Sequence, residues 1–179
     1  MTDLNRIKSP VETSLLVAFT DLTGFHKYMV KQTDKSIFST MSSYFEFAGD
    51  IVEKAGGKVV KFIGDAILIV FPEERLNEGV IALKNLKDLG NKWMESRGIP
   101  SRHRISAHFG PVVCGLIGTK TDKRFDIYGI TVNTAALLKS SGMAVTPQVF
   151  RKLKPETRKL LKKHTPPVTY IPVEESHNN

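Results

Sequence analysis

Ala55-Gly56-Gly57-Lys58-Val59-Val60-Lys61-Phe62-Ile63-Gly64-Asp65-Ala66-Ile67-Leu68-Ile69-Val70-Phe71 holds two short, apolar, β-branched runs with Gly64-Asp65 between them. That pattern predicts a β-hairpin whose tight turn carries an acid. Gly64 permits the positive φ such a turn often needs, and Asp65 follows at the tip. A second acid, Asp21, ends the apolar run 15–20 and is followed by Gly24. Taken singly, each Asp is an ordinary turn former. Taken together, two carboxylates at strand ends can converge on divalent cations.

Outward from the hairpin, the periodicity predicts a helix over 34–55. Ile37, Met41, Tyr44, Ala48, Ile51 and Ala55 step by three or four and share one face. Asp34 is the expected N-cap, and Gly56-Gly57 the stop. A strand is expected over 14–20, upstream of that helix. Beyond Pro72 a second helix is expected over 74–96, with Val80, Leu83, Leu86, Trp93 and Met94 as core contacts; Gly79 and Gly90 weaken its regularity. Trp93 reads as core rather than as a binding platform. Runs 103–109 and 112–117 have strand character and are joined at Gly110-Pro111, where a break between two strands is expected. A loop at 119–123, a strand at 125–128, a helix from 131 to 142 and a short strand at 144–145 follow. A basic helix over 155–163 and a strand at 168–171 complete the chain. The order gives an α+β sandwich of the ferredoxin-like type, a mostly antiparallel sheet with helices packed on it. Residues 1–12 read as a flexible lead-in, 13–173 as one domain and 174–179 as a frayed tail.

Composition narrows the function. A chain of 179 residues with 41% hydrophobic and 25% charged residues is expected to bury one core without staples. One cysteine, Cys114, excludes an internal disulfide; within the apolar run 112–117 it reads as a buried thiol rather than a nucleophile. No apolar run reaches membrane-spanning length and no signal-peptide core opens the chain, so the expectation is a reducing, cytoplasmic compartment. The charge, 26 − 18 = +8, favours polyanionic partners: nucleotides, nucleic acid or an anionic membrane. Seven basic residues against one acid, Glu156, fall within 151–163, which reads as a solvated helix face. The strands lack interleaved aromatic and basic residues, so no nucleic-acid partner is expected.

Several motifs in register resemble the catalytic domain of the class III nucleotidyl cyclases, the adenylyl and guanylyl cyclases. They are Phe19-Thr20-Asp21-Leu22-Thr23-Gly24-Phe25, then Val60-Lys61-Phe62-Ile63-Gly64-Asp65 with Ile69-Val70-Phe71. The third is the glycine-punctuated hairpin 110–118 with Phe125-Asp126-Ile127-Tyr128-Gly129-Ile130-Thr131-Val132-Asn133-Thr134-Ala135. The likeness spans about residues 14–145. It implies that Asp21 and Asp65 hold two metal ions, Mg²⁺ or Mn²⁺, chemistry that suits carboxylates. It implies that Leu22, Thr23, Gly24 and Phe25 cradle a triphosphate with backbone N–H groups. Lys61 and Asp126 match the base-reading positions: one donor and one acceptor complement N1 and N6 of adenine, so ATP is expected over GTP. Guanylyl cyclases typically place Glu and Cys there. Asn133 matches the residue that orients the ribose; helix capping is its other reading.

One position departs from the family. Four residues after that asparagine, where an arginine usually stabilises the transition-state phosphate, stands Leu137. The lysine that usually grips the terminal phosphates has only Lys162 and Lys163 as candidates. The resemblance therefore implies a slow adenylyl cyclase working as a head-to-tail homodimer with its sites at the interface. The alternative is a degenerate cyclase-like domain that binds nucleotide or a partner without turnover.

Overall fold

The structure is a computed structural model that describes residues 4, 6, 7 and 9–177. Its strands are β1 (Val11–Thr23), β2 (Lys58–Ile63), β3 (Ala66–Pro72), β4 (Arg102–Gly118), β5 (Lys123–Tyr128), β6 (Met143–Val145), β7 (Leu161–His164) and β8 (Thr169–Pro172). Its helices are α1 (Phe25–Met29), α2 (Asp34–Lys54), α3 (Leu76–Glu95), α4 (Ile130–Leu137), α5 (Pro147–Lys152) and α6 (Pro155–Arg158). The strands form one sheet in the order β2-β3-β1-β4-β6-β8-β7, with β5 paired to the far half of β4. The β4–β6 pair is parallel and the others are antiparallel. This is the expected α+β sandwich.

Strand alternation sends side chains to two cores. Leu16, Ala18, Ile67 and Ile69 pack with Met41, Tyr44, Ala48 and Val52 of α2 and with Val80, Leu83 and Leu86 of α3. Leu15, Val17, Leu68 and Val70 face the other way, against Val112, Ile127 and Ala135 of α4. The two glycines of α3 are points of close approach rather than defects. A Cβ on Gly79 would stand 2.7 Å from Phe71, and one on Gly90 2.5 Å from the ring of His103. Trp93 is half-buried, stacks near Phe47, carries the Arg97 guanidinium 3.8 Å over its ring and packs on the core, as expected. Cys114 is buried, and burial pushes its thiol pKa up.

Several local expectations are corrected. The α2 cap is Thr33, whose hydroxyl oxygen accepts Ser36 N–H at 3.2 Å, and Asp34 lies in the first turn. Gly110-Pro111 is no turn: β4 runs straight through it for 17 residues, because β1 pairs with it from Val11↔Cys114 to Thr23↔Arg102. Gly110 is needed for space, since a Cβ there would meet the Thr131 hydroxyl at 2.6 Å. The basic helix over 155–163 is a four-residue α6 followed by β7, so Lys162 and Lys163 stand on an edge strand. Lysines there discourage pairing with another chain. Within the expected lead-in, Leu4 and Ile7 pack on the second core and β1 already starts at Val11; residues 1–3, 5 and 8 lie outside the described residues. The expected frayed tail is pinned as far as it is described: Glu174 pairs with Lys84 at 2.7 Å, and Glu175 pairs with the buried Lys87 and accepts Met143 N–H. Residues 178 and 179 lie outside the described residues.

Candidate active site

The β2–β3 hairpin turns at Gly64, with φ +63°, and presents Asp65 beside the end of β1. There Asp65 Oδ2 accepts the backbone N–H of Leu22 at 3.3 Å. Because Leu22 is the next residue after Asp21, the two acids, 44 positions apart in the chain, are brought to neighbouring places. Both are half-buried and partly open to solvent. The register sets Arg104 of β4 opposite Asp21, and its guanidinium grips that carboxylate from Nε, at 3.0 and 3.1 Å, and from Nη2. That hydrogen bond raises the Arg104 pKa above its ordinary value. A cation is thus already held against Asp21, which fits a place where positive charge is wanted. Among the described residues no group of three or more His, Cys, Asp or Glu side chains is arranged for a metal. The donor set is two carboxylates. Mg²⁺ suits such a set, because it commonly takes one or two carboxylates and completes its shell with water and substrate phosphates.

Asp21 and Arg104 line a cavity of about 340 Å³ with Thr20, Ser106, Leu137 and Lys139. Sequence reading missed Arg104 and Lys139. Arg104 becomes legible only through the β1–β4 register, and Lys139 only once α4 ends at Leu137 and turns extended at Leu138. Leu137 itself is 79% exposed. Asn133 lies four residues before it on the same helix and is exposed too.

Of the expected phosphate cradle, Leu22 and Phe25 bury their side chains and Thr23 donates its hydroxyl to the Arg102 carbonyl at 3.0 Å. Gly24 supplies the left-handed turn, φ +81°, into the five-residue α1. Only backbone groups of this segment remain for a ligand, and the Leu22 N–H is engaged by Asp65.

Lys61 of β2 and Asp126 of β5 also meet, Nζ to Oδ2 at 2.6 Å, with side chains 42% and 13% exposed. They line a groove of about 1070 Å³ between α2, β2 and the β4–β5 tip, whose lining includes neither Asp21 nor Asp65. A single chain therefore assembles the acids in one place and the Lys61–Asp126 pair in another. Lys162 and Lys163 join neither, being on β7 with β4, β6 and β8 between them and β1.

Beneath the end of β1, burial lowers the His103 pKa from 6.5 to about 4, so the ring is neutral. An unfolded chain takes up this proton below about pH 6.5 while the folded one refuses it until about pH 4. The stabilisation is therefore complete above pH 6.5 and lost as the pH falls through that window, at most about 3 kcal/mol. Urea titrations at pH 7.5 and pH 4.5 should show this loss, and His103→Gln should lose less over the same descent.

Residues 7–170 match the adenylate and guanylate cyclase catalytic domain family. Receptor-type guanylate cyclase gcy-23 of Caenorhabditis elegans is 30% identical over 136 residues, 70% of this chain and 12% of that protein. Adenylate cyclase 2 of Rhizobium meliloti (strain 1021) is 26% identical over 170 residues, 91% of this chain and 45% of that one. The chain thus spans less than half the length of either relative. Among solved structures, a bacterial light-regulated adenylyl cyclase superposes with a TM-score of 0.78 over 93% of this chain and 53% of its own, at 19% identity, a likeness of fold.

Proposed function

This chain belongs to the adenylate and guanylate cyclase catalytic domain family, and on that premise we propose that it is an adenylyl cyclase. It converts ATP to 3′,5′-cyclic AMP and pyrophosphate: the ribose 3′-hydroxyl gives up its proton to solvent, and its oxygen bonds to the α-phosphorus. The bond from that phosphorus to the bridging β-phosphate oxygen breaks, so that pyrophosphate leaves with that electron pair. The observation that carries this reading is the hydrogen bond that seats Asp65 on the residue next to Asp21. Asp21 and Asp65 hold two ions, Mg²⁺ or Mn²⁺, which when bound activate the 3′-hydroxyl and offset charge on the α-phosphate. Arg104 grips Asp21 with a fork that fits a phosphate equally well, so it can turn to a phosphate oxygen in the same cavity. The backbone of Leu22, Thr23, Gly24 and Phe25 lines the approach for the triphosphate, and Asn133 orients the ribose.

Lys61 donates to adenine N1 and Asp126 accepts from N6. Their mutual ion pair is part-exposed, so its net worth is about 1 kcal/mol or less. An incoming base can therefore open it at small cost. Guanine presents the reverse polarity, so Lys61→Glu combined with Asp126→Cys should move the preference from ATP towards GTP by about tenfold or more, one well-made hydrogen bond to a charged group being worth about 1.5–3 kcal/mol. The ratio of kcat/KM for the two nucleotides measures this, and an unchanged ratio contradicts the assigned roles.

Acids and base-reading pair lie apart within one chain, which supports a head-to-tail homodimer completing each site from two subunits. Exposed Ile130, Tyr128 and Val113 supply apolar surface for that contact. No helix among the described residues is long and apolar enough to cross a membrane, in keeping with a cytoplasmic enzyme.

The second reading is a cyclase-like domain that binds nucleotide, or a partner, without turnover. Leu137, where the resemblance implies an arginine, is the observation that favours it. Incubation of concentrated protein with ATP or GTP, each with Mg²⁺ and Mn²⁺, separates the two. Cyclic AMP from ATP is expected; ATP binding with no cyclic product establishes the second reading instead.

A further inference from the structure

A chain of buried polar groups runs through the apolar core under the two acids. Tyr44 of α2 is fully buried, and its hydroxyl lies 2.8 Å from His103 Nε2. On the far side of the ring, Nδ1 lies 3.0 Å from Asn91 Oδ1, an oxygen that also accepts the His103 backbone N–H at 2.9 Å. An acceptor at Asn91 makes Nδ1 the protonated nitrogen, so Nε2 accepts and the Tyr44 hydroxyl donates. The chain links α3, β4 and α2 in a fixed direction. Gly90 of α3 leaves the room the imidazole occupies.

Such groups cost desolvation that a Phe and a Leu at the same positions avoid. Their location gives that cost a use. His103 faces Leu22 across the β1–β4 ladder, next to the Asp21–Arg104 pair. Leu22 is the residue whose N–H holds Asp65. Thr20 buries its hydroxyl beside the Tyr44 phenol, close enough for a side-chain hydrogen bond. Burial raises the phenol pKa, the Thr20 hydrogen bond lowers it, and both Asp65 and Asp21 lie close enough to raise it further.

Resting on the functional reading above, we propose that Tyr44 and His103 are positioning residues: their hydrogen bond fixes the Thr20–Leu22 end of β1 so that Asp21 and Asp65 are preorganised for divalent cations. Neither touches the ions or the nucleotide. Outer groups of this kind change metal affinity by about 10–100-fold when removed.

The test is Mn²⁺ binding to the whole chain with a non-reactive ATP analogue, followed by water-proton relaxation and paired with thermal melting. Tyr44→Phe, which keeps the ring, and His103→Leu should each bind Mn²⁺ roughly tenfold more weakly while melting cooperatively. His103→Gln keeps an acceptor for the Tyr44 hydroxyl and should stay within about threefold of the parent, a small fraction of the 10–100-fold range for outer-group loss. Equal weakening in the Leu and Gln variants would show a packing effect and overturn the proposal. Parent-like binding in Tyr44→Phe, with binding lost in Asp21→Asn, would overturn it and leave the functional reading standing. Parent-like binding in Asp21→Asn would remove both. If His103→Leu fails to fold, Tyr44→Phe and His103→Gln decide the matter.

Discussion

Asp21→Asn and Asp65→Asn should each lower cyclic AMP formation by about a thousandfold or more. Replacing a carboxylate by a carboxamide removes one negative charge and leaves the shape nearly unchanged. If the ions that these acids hold supply several kcal/mol of transition-state stabilisation, losing about 4 kcal/mol corresponds to about three powers of ten in rate. Stability should respond differently at the two positions. Asp21→Asn frees the guanidinium of Arg104 from its bidentate partner, yet that pair is part-exposed and its loss should cost about 1 kcal/mol or less. Asp65→Asn weakens the acceptor for Leu22 N–H and should cost about 1 kcal/mol. A thousandfold loss of rate with so small a loss of stability cannot be ascribed to misfolding. Initial rates of cyclic AMP formation, with denaturation midpoints for the same preparations, check both parts.

The second large effect has the opposite sign. Leu137→Arg should raise turnover by about 10²–10³, the amount a preorganised cationic contact at a developing phosphate charge typically supplies. The leucine is 79% exposed at the end of α4 and lines the same cavity as Asp21 and Arg104. Surface substitutions of this kind usually stay within about 0.5 kcal/mol in stability. The gain should appear in kcat with little change in KM, since an interaction made only in the transition state leaves substrate binding alone. Unchanged kcat would mean that another cation, with Lys139 of the same cavity the first to test, already serves that place.

The fold was legible where period and turn chemistry agree. Residues 55–71 hold two apolar, β-branched runs, carry a glycine where positive φ is needed and are followed by Pro72; they form the β2–β3 hairpin with Asp65 at its turn. Met41, Tyr44 and Ala48 repeat at helical spacing, and they are the buried face of α2. Gly110-Pro111 misled because both residues are common in turns. What keeps β4 straight there is β1, which pairs with it along its length and cannot be seen from the local residues. The partner of Asp21 was hidden for the same reason. Arg104 is 83 residues away, and only strand register puts a guanidinium against that carboxylate. Tyr44 read as an apolar core position, correctly for its ring; the hydroxyl found its partner in His103, a strand residue with no local signal. Lys162 and Lys163 read as helical because basic runs suit a solvated helix face. The short α6 ends before them, and β8 pairs them into the sheet.

The proposal that two acids hold ions under a nucleoside triphosphate is tested most directly by counting those ions. A calorimetric titration of Mn²⁺ into the chain, saturated with a non-reactive ATP analogue, should show two ions per nucleotide site, with at least one lost in Asp21→Asn and in Asp65→Asn. The same ion count in both variants as in the parent would contradict it, whatever the rate of turnover.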